Sequence, residues 1–138
     1  MTSIGERTAS CCCGNLTVTA RGEPAHVYAC SCRECQRGSG SAFSYAAIYP
    51  EQAVTVVGKP TLFRQRADSG RFTDSSFCPV CGVTVYFRAE AMPGMIGIAA
   101  GCFADPDFPK PERLFWASRR HHWLNLGEDI PLEETHPG

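Results

Sequence analysis

Nine cysteines fall into three tight groups and a singleton: Cys11, Cys12 and Cys13 in "CCCG", Cys30, Cys32 and Cys35 in "CSCREC", Cys78 and Cys81 in "CPVCG", and Cys102. In a reducing compartment, thiols grouped in this way point to metal binding or catalysis before disulfides, and nine cannot all pair. "CPVCG" has the form of a zinc knuckle, a tight turn in which two thiolates converge on one ion, and Gly82 permits the positive φ that such a turn often needs. A knuckle supplies two ligands and needs two more. Cys11 and Cys13 suit it, because side chains two apart on an extended chain leave the same face, and Gly14 opens the turn. Cys12 then points away; it and Cys102 read as small buried side chains.

A closed site of Cys11, Cys13, Cys78 and Cys81 would join the start of the chain to its middle and serve folding. That leaves the central group with Cys30, Cys32 and Cys35. Three protein ligands and an open fourth position is the arrangement of catalytic zinc. Three thiolates make the ion a weak activator of water and a better host for a substrate sulfur, which would lose its proton there and stay nucleophilic. The same residues allow other pairings. His26 could close a Cys3His site, "CSCREC" could join "CPVCG" and leave "CCCG" loose, or Cys32 and Cys35 could form a redox pair.

Short strands must position these thiols. Residues 16–20, 26–30, 43–49, 54–57, 61–66, 83–88 and 95–100 are each rich in β-branched or aromatic side chains and bounded by Gly, Pro, Ser or Asp. The best helical stretch is one or two turns from Ser31 to about Arg37, ended by Gly38 and Gly40. "FADPDFPKPERL" reads as a loop leading into the apolar "LFWAS". Phe43, Tyr45, Trp116 and Trp123 read as packing, and Arg119 to His122 as a solvated turn. The expected fold is mainly β, a small antiparallel assembly with thiol clusters at its turns and little helix.

The 138 residues suit one domain, with a core from about residue 9 to 126 and flexible termini. Thirteen basic against 14 acidic side chains leave a net charge of -1, which argues against nucleic-acid partners. The start, "MTSIGERTAS", lacks an apolar stretch after a basic one, and no apolar run reaches membrane-spanning length. The expected location is the cytoplasm, without a membrane partner.

Together, "CCCGNLTV", "CSCRECQRGSGSAF", "FCPVCGVTVYF", "GCFADP" and "RLFWASRRHHW" resemble the glutathione-dependent formaldehyde-activating family, the centromere-protein-V-like domain, over about Cys11 to Trp123. The resemblance implies a twisted β assembly of the β-tent type. It places structural zinc on Cys11, Cys13, Cys78 and Cys81 and catalytic zinc on Cys30, Cys32 and Cys35. It implies condensation of glutathione with formaldehyde, a carbon-sulfur lyase reaction run in reverse, with a small thiol and a small aldehyde as partners and a homodimer as the assembly allowed. Arg37 would hold a carboxylate of the thiol peptide, and Ser31 or Ser39 would hydrogen-bond the developing alkoxide. Many relatives carry His where this chain has Ser31, and two basic residues where it has Gln36 and Arg37. A zinc protein that binds glutathione or another thiol without turnover is the rival reading.

Overall fold

A computed structural model describes residues 5–66 and 70–135. Ten strands run in chain order: β1 (Glu6–Ser10), β2 (Thr17–Arg21), β3 (His26–Cys30), β4 (Ser44–Pro50), β5 (Val54–Val57), β6 (Thr61–Arg66), β7 (Phe72–Phe77), β8 (Thr84–Ala89), β9 (Met95–Ala99) and β10 (Leu114–Phe115). One α-helix, α1 (Arg33–Ser39), and three short 3-10 turns complete the regular structure of these residues. The fold is mainly β, as the run of short apolar stretches requires. The residues divide into two compact units.

The first unit comprises the chain up to Ala25 and from Ala47 to Phe108. Its smaller sheet, β1-β2-β5, is antiparallel, with Ser10 opposite Thr17 and Thr17 opposite Val57. Alternation along β2 turns Val18 and Ala20 inward, beside Ala9 of β1. Its larger sheet follows the order β4-β9-β8-β7-β6. Tyr49, Val85, Ile96 and Ile98 are among its large, fully buried apolar side chains. At Gly97, opposite Phe87 in the β8-β9 pair, a Cβ would fall 2.2 Å from the Phe87 ring, so only glycine lets that ring lie across the strand.

The second unit comprises His26 to Ala46 and the chain from Pro109 onward. Here β10 runs parallel to β3, with Leu114 beside Ala29 and Phe115 beside Cys30. Ala29, Leu114, Ala117 and Leu124 form the core, with Phe43 and Leu126 packed against it. The chain beyond β10 returns to it, where the Leu114 amide donates to the Pro131 carbonyl at 2.9 Å and Leu114 bridges Leu132.

Seven strand expectations hold to within a residue or so; β1, β7 and β10 were not expected. "ERTAS" and "FTDSSF" carry too few apolar residues to show alternation, yet each pairs along its full length with a hairpin partner. The helix starts two residues later than expected. Cys32 is extended at φ -62 and ψ 161, and the Ser31 amide bonds to the Phe115 carbonyl at 3.0 Å as part of the sheet. Ordered structure passes both expected limits of the core: β1 begins at Glu6, and Ile130 is buried. The outermost stretches expected to be flexible, 1–4 and 136–138, lie outside the described residues. No helix among the described residues is long and apolar enough to cross a membrane.

Candidate metal centres

In the first unit, Cys11, Cys13, Cys78 and Cys81 bring four sulfurs within 4.8 Å of one another. Each pair sits at the apex of a hairpin, β1-β2 or β7-β8, and the two apices are built alike. The Cys11 amide donates to the Leu16 carbonyl, its carbonyl accepts from Gly14, and its sulfur accepts from the Leu16 amide at 3.3 Å. The Cys78 amide donates to the Val83 carbonyl, its carbonyl accepts from Gly82, and its sulfur accepts from the Val80 amide at 3.4 Å. Gly14 and Gly82 close the turns at φ 84 and 82. Two knuckles are thus presented by two hairpins.

The sulfur spacing fits a metal. Bonds of about 2.3 Å from zinc to sulfur set the edges of a tetrahedron at about 3.8 Å. Cys11 Sγ lies 3.7 Å from Cys13 Sγ, which lies 3.5 Å from Cys78 Sγ. The surroundings act on the thiols in opposite directions. Backbone amides of Val83 and Cys13 bring Cys81 down to about 6. At Cys13 the Asn15 amide pulls the same way, but burial and the neighbouring thiols of Cys78, Cys11 and Cys81 outweigh it and push the group up to about 12.

In the second unit, Cys30, Cys32 and Cys35 bring three sulfurs within 4.8 Å of one another. Cys30 ends β3, Cys32 caps α1 by accepting the Cys35 amide at 3.3 Å, and Cys35 lies in the first helical turn. A strand that stops and a helix that starts therefore fold three thiols inward. Cys30 is 3 % exposed, while Cys32 and Cys35 are half-buried. The Cys30 and Cys35 thiols donate to Cys32 and hold it down at about 2, and the Cys32 thiolate in turn drives Cys30 strongly up. Cys35 rises to about 11: Cys30 favours its thiolate, but Cys32 and burial oppose it more strongly.

Residues 6–119 match the family profile of the glutathione-dependent formaldehyde-activating enzymes. The chain belongs to that family. A Penicillium rubens protein, provisionally named a glutathione-dependent formaldehyde-activating enzyme, is 32% identical over 89 residues, covering 62% of this chain and 44% of its own. A Fusarium vanettenii protein of the same name is 30% identical over 88 residues, covering 64% of this chain and 47% of its own. The chain spans about half the length of these curated relatives. A crystal structure of a Rhodobacter sphaeroides protein has a similar fold, with a TM-score of 0.55 at 19% identity over 91% of this chain and 98% of that one.

Around the three-thiol cluster of this family member, the other expected site residues are placed as follows. Ser31 is 0% exposed and its hydroxyl donates to the Ala42 carbonyl at 3.1 Å. The Ser39 hydroxyl donates to the Cys35 carbonyl at 2.7 Å and closes the helix end. Arg37 stands about 200° round the helix from Cys35. It lines a separate open cavity of about 520 Å³ with Gln36, Ser41, Phe43, His121 and Trp123. Trp123 is 72% exposed, not packed as expected, since the turn at residues 121–123 carries it to the surface. Cys12 is exposed rather than buried, because it sits at the hairpin apex, and Cys102 is half-buried with its thiol on the Thr84 carbonyl at 3.6 Å.

Sequence reasoning missed three supports of the cluster. Gln36 Nε2 donates to the carbonyls of Ser31 at 2.7 Å and Arg119 at 3.0 Å, the Ser44 hydroxyl favours the Cys35 thiolate, and Tyr28 lies beside the thiols. Burial, reinforced by Cys35, Cys30 and Cys32, raises the Tyr28 phenol above its ordinary value. Tyr28 was legible in one respect, since a residue two before Cys30 on a strand must share its face.

Proposed function

We propose that the chain is a zinc-dependent enzyme that condenses glutathione, or a thiol like it, with formaldehyde or another small aldehyde at Cys30, Cys32 and Cys35. This is a carbon-sulfur lyase reaction run in reverse. The observation that carries the reading is the difference in ligand count: four sulfurs converge in one unit and three in the other. Cys11, Cys13, Cys78 and Cys81 would hold a structural zinc and the three central thiols a second one. Zinc bound there supplies charge that lets an incoming thiol ionise at neutral pH and keeps its sulfur nucleophilic.

The protein's own part is to hold the cluster in shape and keep a face of it clear. Gln36 clamps the Ser31 carbonyl, and Ser31 ties the motif to Ala42, so the Cys30–Cys35 turn is fixed by bonds that need no ion. Ser44 favours the Cys35 thiolate. Arg37 and Trp123 border the neighbouring cavity, where a carboxylate-bearing peptide chain would extend from the reacting sulfur.

The test pairs metal content with exchange kinetics. Two zinc ions per chain are expected, and a catalytic amount of protein should raise the rate of exchange between glutathione and formaldehyde above its uncatalysed value. A rate equal to background, with glutathione still bound, would favour a carrier over an enzyme. One zinc ion per chain, lost only on unfolding, would remove the reading altogether.

A further inference from the structure

Attack of a thiolate on an aldehyde puts negative charge on the carbonyl oxygen, and a donor aimed at that oxygen speeds the step. The serine hydroxyls of the motif are already engaged: Ser31 donates to the Ala42 carbonyl and Ser39 to the Cys35 carbonyl. We propose that the phenol of Tyr28 is the missing donor, a catalytic residue that hydrogen-bonds the aldehyde oxygen at the three-cysteine site. The inference rests on the function proposed above and adds to it the group that receives the electrophile.

Tyr28 precedes Cys30 by two residues on β3, so both side chains leave the same face of the strand. Its phenol lies in the field of all three thiols. The ring is held edge-on against Phe115, with centroids 5.5 Å apart at 71°, and Phe115 is itself held in register with Cys30 by the β3-β10 pairing. Among the described residues the hydroxyl has no hydrogen-bond partner, so its proton is free for a ligand. The hydroxyl is not among the buried unpartnered atoms, so solvent reaches it and a bound oxygen would take the place of water there.

The step balances without a further reagent. The thiol ionises and releases its proton to solvent. A sulfur lone pair then forms the new C–S bond while the carbonyl π pair moves onto oxygen. That oxygen, held by the Tyr28 O–H, takes a proton from solvent to give the S-hydroxymethyl product, and Tyr28 keeps its own.

Tyr28→Phe in the zinc-loaded protein removes the donor and leaves the ring on Phe115. The expected result is a fall of about 100- to 1,000-fold in kcat for glutathione and formaldehyde, the range for loss of one such donor, with the KM for glutathione and the zinc content unchanged. Calorimetry gives a readout without turnover: formaldehyde should tighten glutathione binding to the wild type and not to the variant. An unchanged kcat together with an unchanged formaldehyde-dependent gain would overturn the role of Tyr28 and leave the parent reading standing. A fall in kcat matched by lost zinc or a lower Tm would overturn it in favour of a structural role. A wild type that shows neither catalysis nor the formaldehyde-dependent gain would overturn the parent reading, and Tyr28 with it.

Discussion

The two cysteine clusters use one side chain and two different backbones. At the four-thiol cluster, both halves are hairpin apices with similar bonding, and each joins a buried thiol, Cys11 or Cys78, to a more exposed one, Cys13 or Cys81. Sulfurs of the two hairpin apices meet, Cys13 Sγ lying 3.5 Å from Cys78 Sγ, so an ion there would hold together elements far apart in sequence. At the three-thiol cluster, a strand end and a helix start bring the sulfurs together within six residues, and the turn is fixed by Ser31, Gln36 and the Cys32 cap. A site formed within one short segment can leave a face open, because the fold does not depend on closing it. On the function proposed above, metal would be part of the fold in one place and a reagent in the other.

Single-cysteine variants give the largest test of that contrast. Cys78→Ala should leave a molten or insoluble chain, since structural thiolate zinc contributes apparent free energies of ~10 kcal/mol or more, comparable to the whole stability of a small domain. Cys35→Ala should keep the near-UV circular dichroism and lose one zinc ion and the catalysed exchange. A folded Cys78→Ala protein with unchanged zinc content would erase the distinction.

Acid should separate the sites next. Zinc must displace thiol protons, so a raised thiol pKa means weaker binding as pH falls. Both clusters hold raised and lowered thiols, Cys30 and Cys35 against Cys32 in one and Cys13 against Cys11 and Cys81 in the other, so the number of sulfurs decides: three hold an ion less firmly than four. Between pH 7 and 5 the first zinc to leave should come from Cys30, Cys32 and Cys35, with catalysis lost before the fold. Zinc release followed alongside circular dichroism checks the order, and simultaneous loss of both would contradict it.

How much of this was legible depends on the range of the signal. Strand stretches such as "HVYAC" and "VTVV" carry their identity in local alternation and were read to the residue. The polar strand "FTDSSF" has none, and only its pairing with two neighbours makes it a strand. The grouping of the four hairpin cysteines was legible because spacing within each pair fixes a turn. The environment of Ser31 was not, since its acceptor at Ala42 lies eleven residues on and its burial depends on Phe115. Trp123 misled because a large apolar side chain is usually covered, and here it borders an open cavity instead.

A smaller effect is expected within one knuckle. Gly82 adopts φ 82, and a Cβ there would meet nothing within 4 Å. Gly82→Ala should therefore cost only the backbone strain, about 1 to 2 kcal/mol, a Tm loss of several degrees with zinc retained. Loss of zinc from this variant would mean that the turn, rather than the four sulfurs, limits closure of the site.

The smallest effect lies far from either cluster. Arg64 Nε and Nη2 donate to the Asp74 carboxylate at 2.8 and 2.9 Å across β6 and β7, and the guanidinium lies 3.7 Å from the centre of the Phe72 ring. The hydrogen bond from Arg64 holds Asp74 below the ordinary carboxylate range. A lowered folded-state pKa stabilises fully above the unfolded value, near 4, and the contribution is lost as pH falls through the folded value. The pair is largely in solvent, so Asp74→Asn should lower Tm only slightly. That small difference should stay constant from pH 7 to 5, the window in which the thiols release metal. If instead the gap between wild type and Asp74→Asn narrowed across that window, acid sensitivity would belong to surface carboxylates, and the inference that the two clusters differ in their dependence on metal would lose its pH argument.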